Sequence, residues 1–247
     1  MQWRQRGDLR WLEAELPGAR AAFSTRLGGL SAGAYESLNL GVLTDDETAL
    51  VLGNRRLLGA ALGIEQGSVL IGRQVHGAEV LRHDRAQRPA PWREPVPDPP
   101  EADGHATAVA GLAPLVFVAD CLPIALSGPR GVAMIHGGWR GLAAGIIGTG
   151  VEATGAVAAA IGPGIGPCCY EVGTGVLAAF APLGPGLADG RMLDLKRVAR
   201  RLLERAGVAA IEDAGLCTRC NQDLFFSHRG AGPSTGRQAG VVRIVQA

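Results

Sequence analysis

The chain has 247 residues, 47% of them hydrophobic but only 4% aromatic, so a sizeable core has to be assembled from Ala, Leu, Val and Ile. A formal charge of +1 leaves no net field to hold a polyanion, which argues against nucleic acid or an acidic membrane surface as partner. The longest apolar run, Ala108 to Ala119, is 12 residues, short of the roughly 18 a membrane span needs, and charge interrupts the first eight residues before any signal-type run; a cytoplasmic location is expected.

Arg20 to Thr25 reads as an early strand, followed by the turn-forming Arg26-Leu27-Gly28-Gly29. Thr44-Asp45-Asp46 is placed to cap a helix in which Leu50, Leu57, Leu58 and Leu62 share one face before Gly63 stops it. Strands are expected near Ser68 to Val75 and at Glu79 to Leu81. Asp84 to Pro100 holds six prolines and several charges, which predicts a loop or mobile excursion. Leu115 to Ala119, Ile124 to Leu126 and Val132 to Ile135 suggest three neighbouring strands, separated by Pro123 and Gly128-Pro129. A helix is expected over Arg140 to Ala153 despite its glycines, and a buried strand at Val157 to Ile161. The face formed by Leu195, Val198, Leu202 and Leu203 predicts a helix over Asp194 to Arg205 that Gly207 ends, and Gly240 to Val245 reads as a closing strand. Without strict alternation or a fixed-period repeat, the pattern fits a single α/β (α+β) domain over 1–247 with mixed β-sheets.

Three apolar runs end on groups that bind metals. Ser68 to Val75 delivers His76 before Gly77, Pro114 to Asp120 delivers Cys121, and Gly131 to Ile135 delivers His136 before Gly137-Gly138-Trp139-Arg140-Gly141. Residues just past strand ends line the crevices of open sheets, and zinc takes three Cys or His ligands in catalytic sites. From isolated positions, the alternative that each is a satisfied strand-end residue stays open. Five cysteines are an odd count in a chain too long to need staples, so free thiols are expected rather than a disulfide framework. Cys217-Thr218-Arg219-Cys220 suits a redox pair or half of a structural zinc site. Its only counterpart is the adjacent Cys168-Cys169, which favours buried or incidental thiols.

These blocks resemble the YfiH/laccase-domain family: Gln74-Val75-His76-Gly77, Ala119-Asp120-Cys121-Leu122-Pro123, His136-Gly137-Gly138-Trp139-Arg140-Gly141, Ile161 to Val172, and Phe225-Phe226-Ser227-His228-Arg229. The likeness runs from Ser24 to Arg237. It implies a layered α/β/β/α arrangement with mixed sheets and a zinc ion on His76, Cys121 and His136. It also implies three activities attached to the family: polyphenol oxidation, purine nucleoside phosphorolysis with adenosine deamination, and a role in peptidoglycan editing. Departures from the family pattern are Gly137, where alanine is usual, and Arg219 and His228, where an aromatic is common.

A histidine count decides against four-copper oxidase chemistry: beyond His76 and His136 only His83, His105 and His228 remain, too few for a blue-copper site plus a dioxygen cluster. Copper is therefore the less favoured metal. The H-x-E with P-C-x-x-C signature of base-editing deaminases is also missing. The favoured expectation is a zinc-dependent phosphorylase for adenosine, inosine and, as a further candidate, methylthioadenosine, with adenosine deaminase side activity; its partners are the nucleoside and phosphate. Arg140 and Arg26 are candidate phosphate anchors, because each sits beside glycines and a guanidinium binds two phosphate oxygens. Gln74 is a candidate contact to base or ribose. Asp120, beside Cys121, is placed to orient the site or move a proton, whereas Asp103 reads equally as a turn residue. The alternative from another class is an amide hydrolase with Cys121 as nucleophile and a histidine base.

Overall fold

The computed structural model describes residues 1–245 and builds two six-stranded sheets. The first contains, in spatial order, β1 (Gln2–Arg6), β2 (Leu9–Leu16), β3 (Ala19–Ser24), β14 (Gln238–Ile244), β7 (Ala113–Val118) and β4 (Val69–Leu70). The second runs β13 (Ala210–Asp213), β10 (Ala158–Ile161), β8 (Leu122–Gly128), β9 (Gly131–Gly137), β6 (Gly104–Thr107) and β5 (Val80–His83). Both are mixed: β4 runs parallel to β7, β13 to β10, and β5 to β6, while the other pairings are antiparallel. A small hairpin joins β11 (Ala188–Asp189) and β12 (Met192–Leu193).

The sheets pack face to face. Phe23, Val116 and Val242 of the first meet Ala125, Met134 and Ala160 of the second in one cluster. Alternation along the strands sends the next residues outward, where helices cover them. On the outer face of the first sheet lies α1 (Thr48–Leu62), whose Leu58 and Leu62 pack with Trp11, Leu115 and Val241. On the outer face of the second lie α2 (Trp139–Ala144), α3 (Ile146–Thr154), α4 (Thr174–Phe180) and α5 (Leu195–Arg205), through Leu142, Ile146, Phe180, Val198 and Leu203. The layers are therefore α/β/β/α. A four-residue α6 (His228–Ala231) precedes β14.

Several local expectations change. The cap residue of α1 is Glu47, not the Thr44 to Asp46 group; Asp46 is occupied by Ser31 Oγ and Asn39 Nδ2, at 2.7 and 2.9 Å. The strand after Ser68 lasts only two residues before the chain leaves toward His76. The helix over 140–153 breaks in two at Gly145, whose φ of 97° lies outside the helical region. The three apolar runs are not all neighbours, because β7 belongs to the sheet opposite β8 and β9. The chain crosses between sheets at Ala119-Asp120-Cys121, and Asp120 takes a φ of 90° to make the turn. The proline-rich segment carries no helix or strand, yet it is pinned: Trp92 is buried, stacked 6.2 Å from the Phe117 ring, and Arg55 donates to the carbonyls of Pro91 and Trp92 at 2.9 and 3.1 Å.

Candidate metal centre and active site

The fold brings His76, Cys121 and His136 together, with one ligand atom from each lying within 4.8 Å of the others. Each arrives differently. His136 ends β9 and its ring is buried; Cys121 follows the crossing between sheets; His76 sits on the loop between β4 and β5 with a φ of 61°. Two non-glycine residues with positive φ, His76 and Asp120, thus flank one site, and such conformations cost about 1–3 kcal/mol each unless their surroundings hold them.

Asp103 supplies that hold for His76. It is fully buried just before β6, and its Oδ2 accepts from the backbone N–H of Val75 and Gly77 at 2.9 and 2.8 Å. Its Oδ1 accepts from the N–H of His76 at 2.9 Å and meets His136 Nδ1 at 2.7 Å. The carboxylate therefore fastens one histidine loop and orients the other histidine ring, turning His136 Nε2 toward the ligand set. Burial works against an ionised Asp103, but the bonds from His136, Gly77 and Val75 outweigh it and lower its pKa.

Burial likewise opposes a charged Cys121, yet His136 and His76 bring its thiol down to about 6. Burial also disfavours a charged His136, but Cys121 and Asp103 raise it to about 9. Each group thus shifts the other toward its charged form, the thiol toward thiolate and the ring toward imidazolium. Gly138 explains part of the His-Gly-Gly-Trp-Arg-Gly pattern: a Cβ there would lie 3.0 Å from His76 Cδ2 and 3.1 Å from Cys121 Sγ, inside the ligand set. A soft thiolate, two imidazoles and a carboxylate orienting one of them fit a zinc ion with an open fourth position.

The other sequence candidates occupy distinct places. Asp120 is buried, and both its oxygens are engaged, Oδ1 by Thr218 Oγ1 and Oδ2 by the Arg229 N–H, each at 2.6 Å. Gln74 is locked to β7, donating to Phe117 O and accepting from Phe117 N at 2.8 Å each. Arg26 lies over the Phe226 ring at 4.6 Å, with Nε and Nη1 donating to Glu36 O and Gln222 O. Arg140 is exposed, lies 4.6 Å over Trp139, and makes no hydrogen bond or ion pair among the described residues. Tyr170 and Arg229 were not anticipated. Burial and then the neighbouring Cys121 push the Tyr170 phenol up to about 12, and the Arg229 guanidinium lies 5.2 Å over its ring. The family-like block ending in Tyr170-Glu171-Val172 carried the signal for the first, and Phe225 to Arg229 for the second.

The four remaining cysteines do not lie scattered as incidental thiols. Cys168, Cys169, Cys217 and Cys220 form a second group whose sulfurs all lie within 4.8 Å of one another.

The sequence profile described as "Multi-copper polyphenol oxidoreductase laccase" matches residues 20–245. "Purine nucleoside phosphorylase YlmD" of Geobacillus stearothermophilus is 35% identical, covering 96% of this chain and 94% of its own length. "Purine nucleoside phosphorylase SCO2081" of Streptomyces coelicolor is 38% identical over 91% of this chain and 95% of its own. The crystal structure of the Geobacillus YlmD superposes with a TM-score of 0.89 at 32% identity, covering 99% of both chains, and that of YfiH from Bacillus licheniformis with 0.88 at 28%, covering 98% and 99%. By sequence and by fold, the chain belongs to the YfiH/laccase-domain family.

Proposed function

We propose that this protein is a zinc-dependent purine nucleoside phosphorylase with adenosine deaminase side activity. The observation that carries the proposal is the convergence of His76, Cys121 and His136, whose ligand atoms lie within 4.8 Å of one another. The relatives named purine nucleoside phosphorylase support the substrate class. When bound, zinc would supply a Lewis acid able to polarise an oxygen or activate water.

In phosphorolysis a phosphate oxygen bonds to C1′ of the ribose as the bond from C1′ to the purine nitrogen breaks, and the departing base takes up a proton. Arg140, which makes no hydrogen bond or ion pair among the described residues, is the primary phosphate anchor, and Arg26 contributes what its two carbonyl bonds leave available. Tyr170 keeps its proton at neutral pH and can donate to an anion or to the leaving base. With both carboxylate oxygens engaged, Asp120 positions Cys121 and the loops around it. Gln74 acts through β7, setting the floor from which the His76 loop departs.

A product assay on metal-quantified protein, with adenosine and inosine and with and without phosphate, tests the proposal. Phosphate-dependent release of hypoxanthine from inosine, lost in Cys121→Ala, is the expected outcome; unchanged release in that variant, or release indifferent to phosphate, overturns it. A second reading is favoured by one observation: Cys121 and His136 lie in one ligand group and each shifts the other toward its charged form, the direction a cysteine nucleophile with a histidine base requires. Under that reading an amide substrate is cleaved by metal-free protein, alkylation of Cys121 abolishes turnover, and zinc inhibits it.

A further inference from the structure

We propose that Cys168, Cys169, Cys217 and Cys220 form a second metal site, a tetrathiolate centre for zinc. It stands on residues outside the His76 centre and does not depend on the phosphorylase reading.

The geometry is that of a ligand set. A zinc ion with sulfur at about 2.3 Å in a tetrahedron requires sulfurs about 3.8 Å apart. Here Cys220 Sγ lies 3.4 Å from Cys168 Sγ and 3.5 Å from Cys169 Sγ, far beyond the roughly 2.05 Å of a disulfide. All four sulfurs fall inside 4.8 Å. The two pairs come from loops distant in sequence, one after β10 and one after β13, and the second has the C-x2-C spacing of zinc ribbons.

The surroundings make room for the sulfurs and give one of them an amide donor. The Gly166 N–H donates to Cys217 Sγ at 3.2 Å, and a Cβ on Gly166 would meet Cys217 Cβ at 3.1 Å and Cys168 Sγ at 3.3 Å, so any larger residue there would press on the sulfurs. Four thiolates and one divalent cation leave a net charge of −2, which needs a counter-charge. Lys196, the single lysine of the chain, is buried on α5 and donates to Gly164 O at 2.9 Å and Leu216 O at 2.8 Å. Those carbonyls lie shortly before the first cysteine pair and directly before the second, so one ammonium clamps both loops and faces the cluster.

The consequence reaches the other centre. Tyr170 follows Cys169 directly, and Thr218, inside the C-x2-C loop, holds Asp120 next to Cys121. An ion on the four cysteines would fix two walls of the His76 site by cross-linking the loops that carry them.

Elemental analysis tests this on wild type, on His76→Ala/His136→Ala and on Cys168→Ser/Cys220→Ser. The histidine variant is expected to keep one zinc per chain, and the cysteine variant to hold one fewer than wild type. A histidine variant without zinc, or a cysteine variant with the wild-type content, overturns the site. Because either variant can fail to fold, zinc X-ray absorption on wild type provides the second measurement. A coordination sphere dominated by sulfur supports the tetrathiolate centre; one dominated by nitrogen and oxygen with a single sulfur refutes it. If the His76 centre binds no metal, wild type still holds one zinc, all of it on sulfur, so the two readings fail separately.

Discussion

Replacing Asp103 with asparagine removes one charge and one acceptor at the point where two of the three proposed zinc ligands are held. The carboxylate receives four donors at 2.7–2.9 Å, two on each oxygen. An asparagine offers one oxygen, and its amide group must then face two N–H donors. If the carbonyl stays toward His76 and His136, the N–H groups of Val75 and Gly77 lose their partner. If it flips, the His76 N–H and the His136 ring lose theirs. Two orphaned donors at about 1–3 kcal/mol each, partly relieved by water at the half-buried loop, give a destabilisation of about 2–4 kcal/mol. His76 also loses the restraint that keeps its φ at 61°.

Zinc affinity is expected to fall about 10–100-fold, the usual effect of removing a group that orients a ligating histidine, equivalent to about 1.4–2.7 kcal/mol. Competition against a chromophoric chelator measures this, and denaturant unfolding of the metal-free proteins measures the stability change. The two proteins should also converge at low pH. Asp103 has a lowered pKa in the folded state, so its contribution is present above the unfolded value of about 3.9 and disappears as pH falls through the lower folded value. The stability gap should be full at pH 7 and close only under stronger acid. A zinc affinity within twofold of wild type, or a gap indifferent to pH, would refute the claim that this carboxylate organises the site.

Two further outcomes follow from the same geometry. Gly138→Ala places a methyl about 3 Å from two ligand side chains, so it should weaken zinc binding while leaving metal-free stability nearly unchanged; equal loss of both would show that the glycine serves the fold and not the metal. Arg55→Ala removes the bonds to Leu40, Pro91 and Trp92 and the guanidinium packed 4.8 Å over Trp92. It should destabilise by about 2–4 kcal/mol and open segment 84–100 to protease; an unchanged digestion pattern would mean that other contacts hold that segment.

Much of this architecture was legible in local pattern. Leucine spacing marked α1 and α5, alternating or continuous apolar runs marked β3, β7, β8, β9, β10 and β14, and Gly63 stopped α1 as expected. The exposed hairpin strand β1 escaped because Gln2 to Arg6 has no buried face to create a pattern. Sheet membership escaped because it depends on the turn at Asp120, where one residue with positive φ sends β8 to the opposite layer. Asp103 was ambiguous for a related reason: an Asp-Gly pair suits a turn, and nothing local discloses that three amides from residues 75–77 and a ring from residue 136 converge on it.

The cysteines give the sharpest form of that distinction. His76, Cys121 and His136 could be singled out from sequence because each follows a recognisable apolar run, but it was the family resemblance that grouped them; the runs alone could not, since β4 stops at Leu70 and β7 lies in the sheet opposite β9. Cys168-Cys169 and Cys217 to Cys220 have no such common grammar. Their encounter depends on the parallel pairing of β10 with β13, which sets Ala158 to Ile161 beside Ala210 to Asp213 and carries the following loops to the same end of the sheet. The bridge between Gly164 and Cys217 continues that pairing past the strands. Register is thus what turns two unremarkable pairs into four converging sulfurs. It also binds the two centres into one mechanical unit, since Thr218 of the second loop bonds Asp120 at the crossing that delivers Cys121. Loss of order at the cysteine cluster should therefore be felt at the histidine centre even with every ligand of that centre intact.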